Sequence, residues 1–374
     1  MEKKTVLFFI YKMGAGGAAR TLLNIINNID RDRFTPVLVT LDFNSDYEMN
    51  VDPDVIFIKL NKKRLRQAIF PLGKVIRQVK ADIVFSTIPV YNTVAILGNM
   101  FSFTRAKNVV READNLGGTF GKDLKLSVFG LVYKKASQVV SLSEGVKENL
   151  IKRYHVKPED IKVIYNPVDI DHIQKQTNEG IIEREHHHLF TDDEKVIITA
   201  GRLVQQKDHR TLLKAFADIR RQVPSKLLIL GEGPLQEELM QYAAQLQIED
   251  HVFFLGFQNN PYIYMKQADL FVLTSIHEGF SHVVAEALAT GVPVVSTDCK
   301  SGPREVLDNG QYGKLCTVGD AENIAENMLE VLSYGEDKRQ QVIQAGYERA
   351  DFFNAQRIVK EYEQTFLDTL ADKG

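Results

Sequence analysis

The sequence contains no tryptophan and two cysteines, Cys299 and Cys316, in 374 residues. Two cysteines without metal-ligand spacing leave no disulfide framework and no structural zinc module. They fit a reducing cytoplasm. Long apolar runs are also missing. Nothing approaches the roughly 18 residues that a membrane-spanning helix needs. The run Val6 to Ile10 is too short for a signal peptide and reads as a first strand. What remains is 44% hydrophobic and 25% charged. That is enough apolar material for two ordinary α/β domains and too little polarity for wholesale disorder.

The net charge of −3 conceals an asymmetry. Met1 to Lys175 carries 27 Lys and Arg against 18 Asp and Glu, whereas the remainder carries 19 against 31. A positive first half suggests an anionic partner there. Lys59, Lys62, Lys63, Arg64, Arg66, Lys74, Arg77 and Lys80 carry much of it, with no acid between Val55 and Ala81. Leu65, Ile69, Phe70, Leu72, Val75, Ile76 and Val79 interleave, so a basic amphipathic helix bent at Pro71 is expected. Two readings stand: a helix whose apolar side packs on its own sheet, or attachment to an anionic membrane surface. Nucleic acid is not expected, because no reader motif is present and the acidic second half would repel it.

Strand-like runs alternate with helical ones. In the first half they are Thr5–Tyr11, Pro36–Leu41, Val55–Leu60, Asp82–Ile88, Asn108–Glu112, Gln138–Leu142 and Lys162–Tyr165. The second half repeats the pattern at Lys195–Ala200, Lys226–Leu230, Val252–Leu255, Asp269–Thr274, Pro293–Thr297 and Lys314–Cys316. This alternation predicts parallel sheets covered on both faces. The fold class is α/β, with two Rossmann-like domains facing each other across a cleft. The expected domains are residues 1–168, joined by a terminal helix over 354–374, and residues 169–353. The polar stretch Asp171 to Glu194, with His186, His187 and His188, reads as a floppy connector. A helix Leu235–Leu246 is expected with Pro234 at its first position.

Chemistry is expected where strands run into helices. The first strand ends in Met13-Gly14-Ala15-Gly16-Gly17, where glycines let a ligand approach the backbone. Ala19 takes the last place of a dinucleotide fingerprint, and Asp42 stands where a ribose carboxylate sits in dehydrogenases, so that class stays open on this loop alone. In the second half, Gly201-Arg202-Leu203 and Lys207 follow a strand, with Asp208 as a helix N-cap. Two cations there can neutralise a diphosphate. The run Glu278-Gly279-Phe280-Ser281-His282-Val283-Val284-Ala285-Glu286 puts two glutamates eight positions apart around a helix start. Such carboxylates can hold sugar or ribose hydroxyls beside an anion bound at the helix N-terminus.

These segments occur in order with Ile164-Tyr165-Asn166-Pro167-Val168-Asp169, Leu230-Gly231-Glu232-Gly233-Pro234-Leu235, Leu255-Gly256-Phe257 and Ser301-Gly302-Pro303-Arg304-Glu305. Together they resemble the family-four retaining glycosyltransferases of GT-B fold over essentially the whole chain. The chain is most similar to bacterial enzymes adding N-acetylgalactosamine or related hexosamines to undecaprenyl-diphosphate-linked glycans. The resemblance implies transfer from a UDP-sugar to a polyprenyl-diphosphate-linked glycan or a polysaccharide. The expected place is the cytoplasm, peripheral on the inner face of the membrane, with no cofactor and no catalytic metal.

It implies that Arg202 and Lys207 bind the diphosphate and that Glu278 contacts the transferred sugar. Phe280 and Ser281 offer backbone N–H groups, and Glu286 holds the ribose. Gly16, Gly17 and Phe257 complete the nucleotide-sugar contacts. Lys62, Lys63, Arg64, Arg66, Glu112 and Asn115 are expected on the acceptor or membrane side. Where many relatives carry a histidine near the transferred sugar, this chain has Ala113, so Glu112, Asp114 or Asn115 is expected to take over its hydrogen bonding. Two other classes stay open: a GT-B epimerase or phosphorylase, and an inactive transferase-like assembly partner.

Overall fold

The structure, a computed structural model, describes residues 3–14, 16–41, 50–117, 119–191, 193–299 and 301–372. The chain forms two compact units, Met1–Pro167 with Ala355–Gly374, and Val168–Asn354.

The first unit holds seven strands: β1 (Lys4–Phe9), β2 (Phe34–Thr40), β3 (Ile56–Lys59), β4 (Ile83–Thr87), β5 (Lys107–Glu112), β6 (Gln138–Ser141) and β7 (Ile161–Val163). They are ordered β3-β2-β1-β4-β5-β6-β7 and all pairs are parallel. Its helices are α1 (Gly17–Asn28), α2 (Ile69–Gln78), α3 (Pro89–Ser102), α4 (Phe120–Tyr133) and α5 (Glu144–Asn149). β1 shows why the sheet is buried on both sides. Val6 and Phe8 enter one core with α1, and Leu7 and Phe9 enter another with α2 and α3. The terminal helix of the chain belongs to this unit. Its Phe366 packs edge-on against Phe8, Phe34 and Phe85 at 6.4, 6.2 and 5.8 Å between ring centroids.

The second unit begins with α6 (Ile170–Glu179) and holds β8 (Lys195–Ala200), β9 (Ser225–Leu230), β10 (Val252–Gly256), β11 (Leu270–Leu273), β12 (Val294–Thr297) and β13 (Lys314–Cys316). Their order is β10-β9-β8-β11-β12-β13, again parallel. The helices after α6 are α7 (His209–Arg220), α8 (Gln236–Gln245), α9 (Tyr262–Gln267), α10 (His282–Thr290), α11 (Pro303–Val306), α12 (Ala321–Leu332) and α13 (Glu336–Phe352); α14 (Ala355–Ala371) is the terminal helix of the first unit. In each sheet the strand order reverses once, between β1 and β4 and between β8 and β11. At such a switch point the loops leave in opposite directions and open a crevice at the carboxyl ends of the strands.

Three sequence expectations need correction. The described residues of the stretch, 171–191 and 193–194, are ordered, not a floppy connector. Asp169 caps α6 by accepting from the His172 N–H at 3.0 Å, and Ile170 and Ile173 are buried. A 3₁₀ segment, Arg184–Phe190, follows, in which His186 Nδ1 lies 2.9 Å from the Tyr264 hydroxyl. Pro71 does not bend a long helix. It sits in the first turn of α2, where its missing N–H costs nothing, and Lys62 to Arg66 precede that helix. Pro234 lies before α8, whose N-cap is Leu235. Among the described residues, no helix is long and apolar enough to cross a membrane.

Candidate functional site

The switch point of the second sheet assembles the densest part of the site. β8 exits through Gly201, and β9 exits through Gly231 at φ +129°. A Cβ on Gly231 would collide with the Gly201 carbonyl oxygen, so a glycine is needed for the two exits to close up. After Arg202 the chain makes a 3₁₀ turn, Gln205–Lys207, and Asp208 adopts the left-handed region at φ 46°. Asp208 caps α7 as expected, accepting from the Thr211 N–H at 3.3 Å and hydroxyl at 2.7 Å.

This turn is stitched to the exit of β11. The Gln206 carbonyl accepts from the Ile276 N–H at 2.8 Å, and the Gln206 amide donates to the His277 carbonyl at 2.9 Å. The Thr274 hydroxyl lies 3.0 Å from the carbonyls of both Lys207 and Asp208. The stitching brings together two residues 71 positions apart: Lys207 Nζ donates to Glu278 Oε1 at 2.7 Å. Ser275 Oγ donates to the same oxygen at 2.6 Å. Oε2 of Glu278 accepts no hydrogen bond from the described residues. Both side chains are largely buried, so the pair acts in a medium where charge is poorly screened.

Beyond Glu278 the chain turns into α10 through Ser281, held left-handed at φ 73°. The Ser281 hydroxyl is buried without a hydrogen-bond partner, and the first N–H groups of the helix follow it. Phe280 anchors the turn from below, its ring 5.1 Å from that of Phe353. Gly302, at φ +76°, lies against it from the other side. A Cβ there would sit 2.9 Å from the Phe280 backbone and 3.0 Å from Glu278 Cβ. Glu286 is buried in α10, just over one turn into the helix.

Arg202 stands on the same loop as Lys207, exposed and with no ion pair among the described residues. Phe257 follows β10 at the sheet edge, two strands from β8, and is half-exposed. In the first unit, Gly16 and Gly17 lie at the carboxyl end of β1, beside the other switch point, and both are exposed. A Cβ on Gly16 would meet nothing within 4 Å. Packing does not demand glycine there. Ala15 and Asp42 lie outside the described residues.

Glu112 is placed otherwise than expected. It is not on an accessible surface but in the core of the first unit, where it accepts from Asn92 at 3.0 Å, Tyr154 at 3.1 Å and the Tyr133 hydroxyl. Burial pushes its carboxyl up to about 7, against the pull of those three donors. Its neighbour Arg111 is also buried, donating to Tyr362 at 3.1 Å, to Thr87 at 2.9 Å and to Asn166. Arg111 therefore ties α14 and Asn166 to the first sheet. Asn115 is half-buried in the loop after β5, its amide 3.4 Å from the Gly145 carbonyl. Lys63, Arg64 and Arg66 are exposed and Lys62 half-buried.

Sequence reasoning missed Thr274 and Ser275, which position Lys207 and Glu278. Their signal was a pair of short hydroxyl residues closing an apolar strand. It also missed two buried neighbours. Burial pushes the Cys299 thiol up to about 12, with the Glu278 charge adding to it. Burial and the Lys207 charge pull the His209 imidazole down to about 4. Both shifts favour the neutral form of the group. Among the described residues, neither Glu278 nor Glu286 belongs to a cluster with metal-ligand spacing.

Comparison with known proteins places the chain in a family. Residues 15–172 match the model of Glycosyltransferase Family 4, and residues 181–349 match that of Glycosyl transferases group 1. A similar protein, 29% identical over 94% of this chain and 96% of its own length, is the N-acetylgalactosamine-N,N'-diacetylbacillosaminyl-diphospho-undecaprenol 4-alpha-N-acetylgalactosaminyltransferase of Campylobacter jejuni. The N-acetyl-alpha-D-glucosaminyl L-malate synthase of Bacillus anthracis is 33% identical over 61% of this chain and 60% of its own. Among solved structures, Anabaena HepE in complex with UDP superposes with a TM-score of 0.82 at 22% identity, covering 98% of this chain and all of that one. A glycosyltransferase from Rickettsia africae gives 0.84 at 17% identity over the whole of both chains. With its two halves matched in tandem and the fold shared along its length, the chain belongs to the group 1 glycosyltransferases of GT-B fold.

Proposed function

We propose that this glycosyltransferase moves a sugar of the N-acetylhexosamine class from a UDP-sugar to a polyprenyl-diphosphate-linked glycan. It retains the anomeric configuration, uses no catalytic metal, and works peripherally on the anionic inner face of the membrane. The second unit is the donor-binding half and the first the acceptor-binding half. The observation that carries the reading is the Lys207–Glu278 pair at the β8/β11 switch point, with exposed Arg202 on the same loop.

In the transfer, an acceptor hydroxyl oxygen bonds to the anomeric carbon while the bond from that carbon to the UDP oxygen breaks. Negative charge grows on the departing diphosphate, and the hydroxyl proton goes to it on the same face of the sugar. Arg202 and Lys207 neutralise that charge, and the N–H groups at the start of α10, from Phe280 onward, add to it. Held by Lys207 and Ser275 through Oε1, Glu278 presents Oε2 to a sugar hydroxyl. Glu286 holds the ribose, and Gly16 and Gly17 leave room for the diphosphate. The donor and acceptor classes are supported by what the Campylobacter jejuni relative's name states and by the UDP seen on HepE.

The test is UDP release from a panel of sugar nucleotides, with and without an undecaprenyl-diphosphate oligosaccharide. One donor should be consumed with acceptor present. Lys207→Ala should cut turnover by about 100-fold or more in a protein that circular dichroism shows to be still folded at the assay temperature. Full activity in that variant, or no consumption of any sugar nucleotide beside the acceptor, would sink the reading.

A further inference from the structure

The first unit carries a face that its own core does not use. α2, α3 and α4 lie on one side of the first sheet, over Leu7, Phe9, Val84, Val110 and Val139. α2 and α3 meet almost backbone to backbone, since a Cβ on Gly73 would lie 2.7 Å from the Gly98 carbonyl oxygen. On a soluble domain the outer surface of such helices is expected to be polar. Here it is apolar in two places. Phe70 on α2 is 69% exposed, its ring 4.8 Å from that of exposed Phe101 of α3 and tilted to it at 48°, and Phe103 just beyond α3 is 83% exposed. On α4, Leu124, Val128 and Leu131 are all more than half exposed, while Leu126 and Tyr133 face the core. Their i, i+4, i+7 spacing makes one stripe that points away from the protein.

The surrounding charge is of one sign. Lys122, Lys125, Lys134 and Lys135 are exposed along α4 and at its end. Lys63, Arg64, Arg66 and Lys74 are exposed before and on α2. The acid on α4, Asp123, is 3.0 Å from Arg153. Single exposed apolar residues are ordinary, but grouped ones rimmed by cations mark an interaction surface. A second copy of this chain would oppose the same cations, at an electrostatic cost. Apolar stripes flanked by lysine are instead what helices lying in the interface of an anionic bilayer present, and the pair of signals gives firmer attachment than either alone.

We propose that the outward face of α2, α3 and α4 docks on an anionic lipid bilayer. Phe70, Phe101, Phe103 and the Leu124–Val128–Leu131 stripe enter the acyl boundary, and the flanking cations contact the headgroups. This rests on the membrane part of the proposed function and extends it from the 62–66 segment to α4 and the aromatic group.

The test is sedimentation of the full chain with vesicles of phosphatidylcholine, alone or mixed with phosphatidylglycerol. Two variants accompany it, one with Lys122→Glu, Lys125→Glu and Lys134→Glu, the other with Leu124→Ser, Val128→Ser and Leu131→Ser. All six positions are exposed, so both should melt as the wild type does. The wild type should bind the mixed vesicles and not the neutral ones. Charge reversal should weaken binding by at least about 100-fold, and the apolar variant by roughly 10-fold. UDP release with a short-chain, water-soluble acceptor should be equal in all three proteins. Wild type that ignores anionic vesicles, or variants that bind as tightly as it does, would overturn the docking surface. So would self-association that the apolar variant abolishes while vesicle binding is absent, which would assign the face to a second copy. Vesicle binding through these residues without turnover of any sugar nucleotide would keep the docking surface and remove the catalytic reading.

Discussion

Glu278 is oriented by two donors of different kinds on one oxygen, a charged ammonium and a neutral hydroxyl. Ser275→Ala removes the hydroxyl and leaves the ion pair. We expect a fall of roughly 5-fold in kcat with little change in melting temperature, because a positioning bond is worth about 1 kcal/mol. A loss seen wholly in KM would count against a positioning role. Glu112 carries a pH signature. Its carboxyl is raised by burial to about 7, above the usual 4.5, so the folded state keeps a proton that the unfolded chain gives up. The stability from this group is full below about 4.5 and is lost as pH rises through about 7. Glu112→Gln should therefore gain on the wild type between those values, by an amount on the order of 3 kcal/mol, and have a flatter melting-temperature profile. Parallel profiles for the two proteins would show that Glu112 does not titrate there. Glu112 was misjudged from sequence for a physical reason: strands covered on both faces lose the alternation that separates inside from outside.

Elements were legible where their cause is local. Each expected strand has a counterpart within two residues or so, because short apolar runs bounded by polar turns leave few alternatives. The misreadings fell on segments shaped by distant partners. The histidine tract is ordered by Tyr264, far along the chain, and Pro71 falls in the first turn of α2, a helix start that sequence does not reveal. The glycines separate in the same way. Gly231→Ala meets strained φ and a backbone oxygen, so a loss of about 2–4 kcal/mol is expected in denaturant unfolding. Gly16→Ala meets open space and extended backbone, so stability should hold within about 0.5 kcal/mol. Turnover should still fall several-fold if a diphosphate approaches there. An unchanged rate in Gly16→Ala would release that loop from the site.

At the scale of the whole molecule, the two units are built differently by the chain. The second is one continuous stretch, Val168–Asn354, with its own core around Leu213, Phe216, Leu227 and Val272. The first is completed from the far end of the chain, since Tyr362 and Phe366 of α14 fill its interior and Tyr362 bonds buried Arg111. A chain of residues 168–354 alone should thus unfold in one cooperative transition, while a chain ending at Asn354 should lose the first unit's transition. Two cooperative melts in that shortened chain would show that α14 is dispensable. By itself, the sequence determined the α/β class, the strands, and the family to which the ordered motifs point, because each follows from local pattern and spacing. Tertiary structure alone decided that Lys207 and Ser275 donate to one oxygen of Glu278, that Glu112 is interior, and that α4 turns an apolar stripe outward. Those facts depend on which face of an element meets the sheet and on residues brought together from as far as 71 positions apart, and neither is encoded in local periodicity.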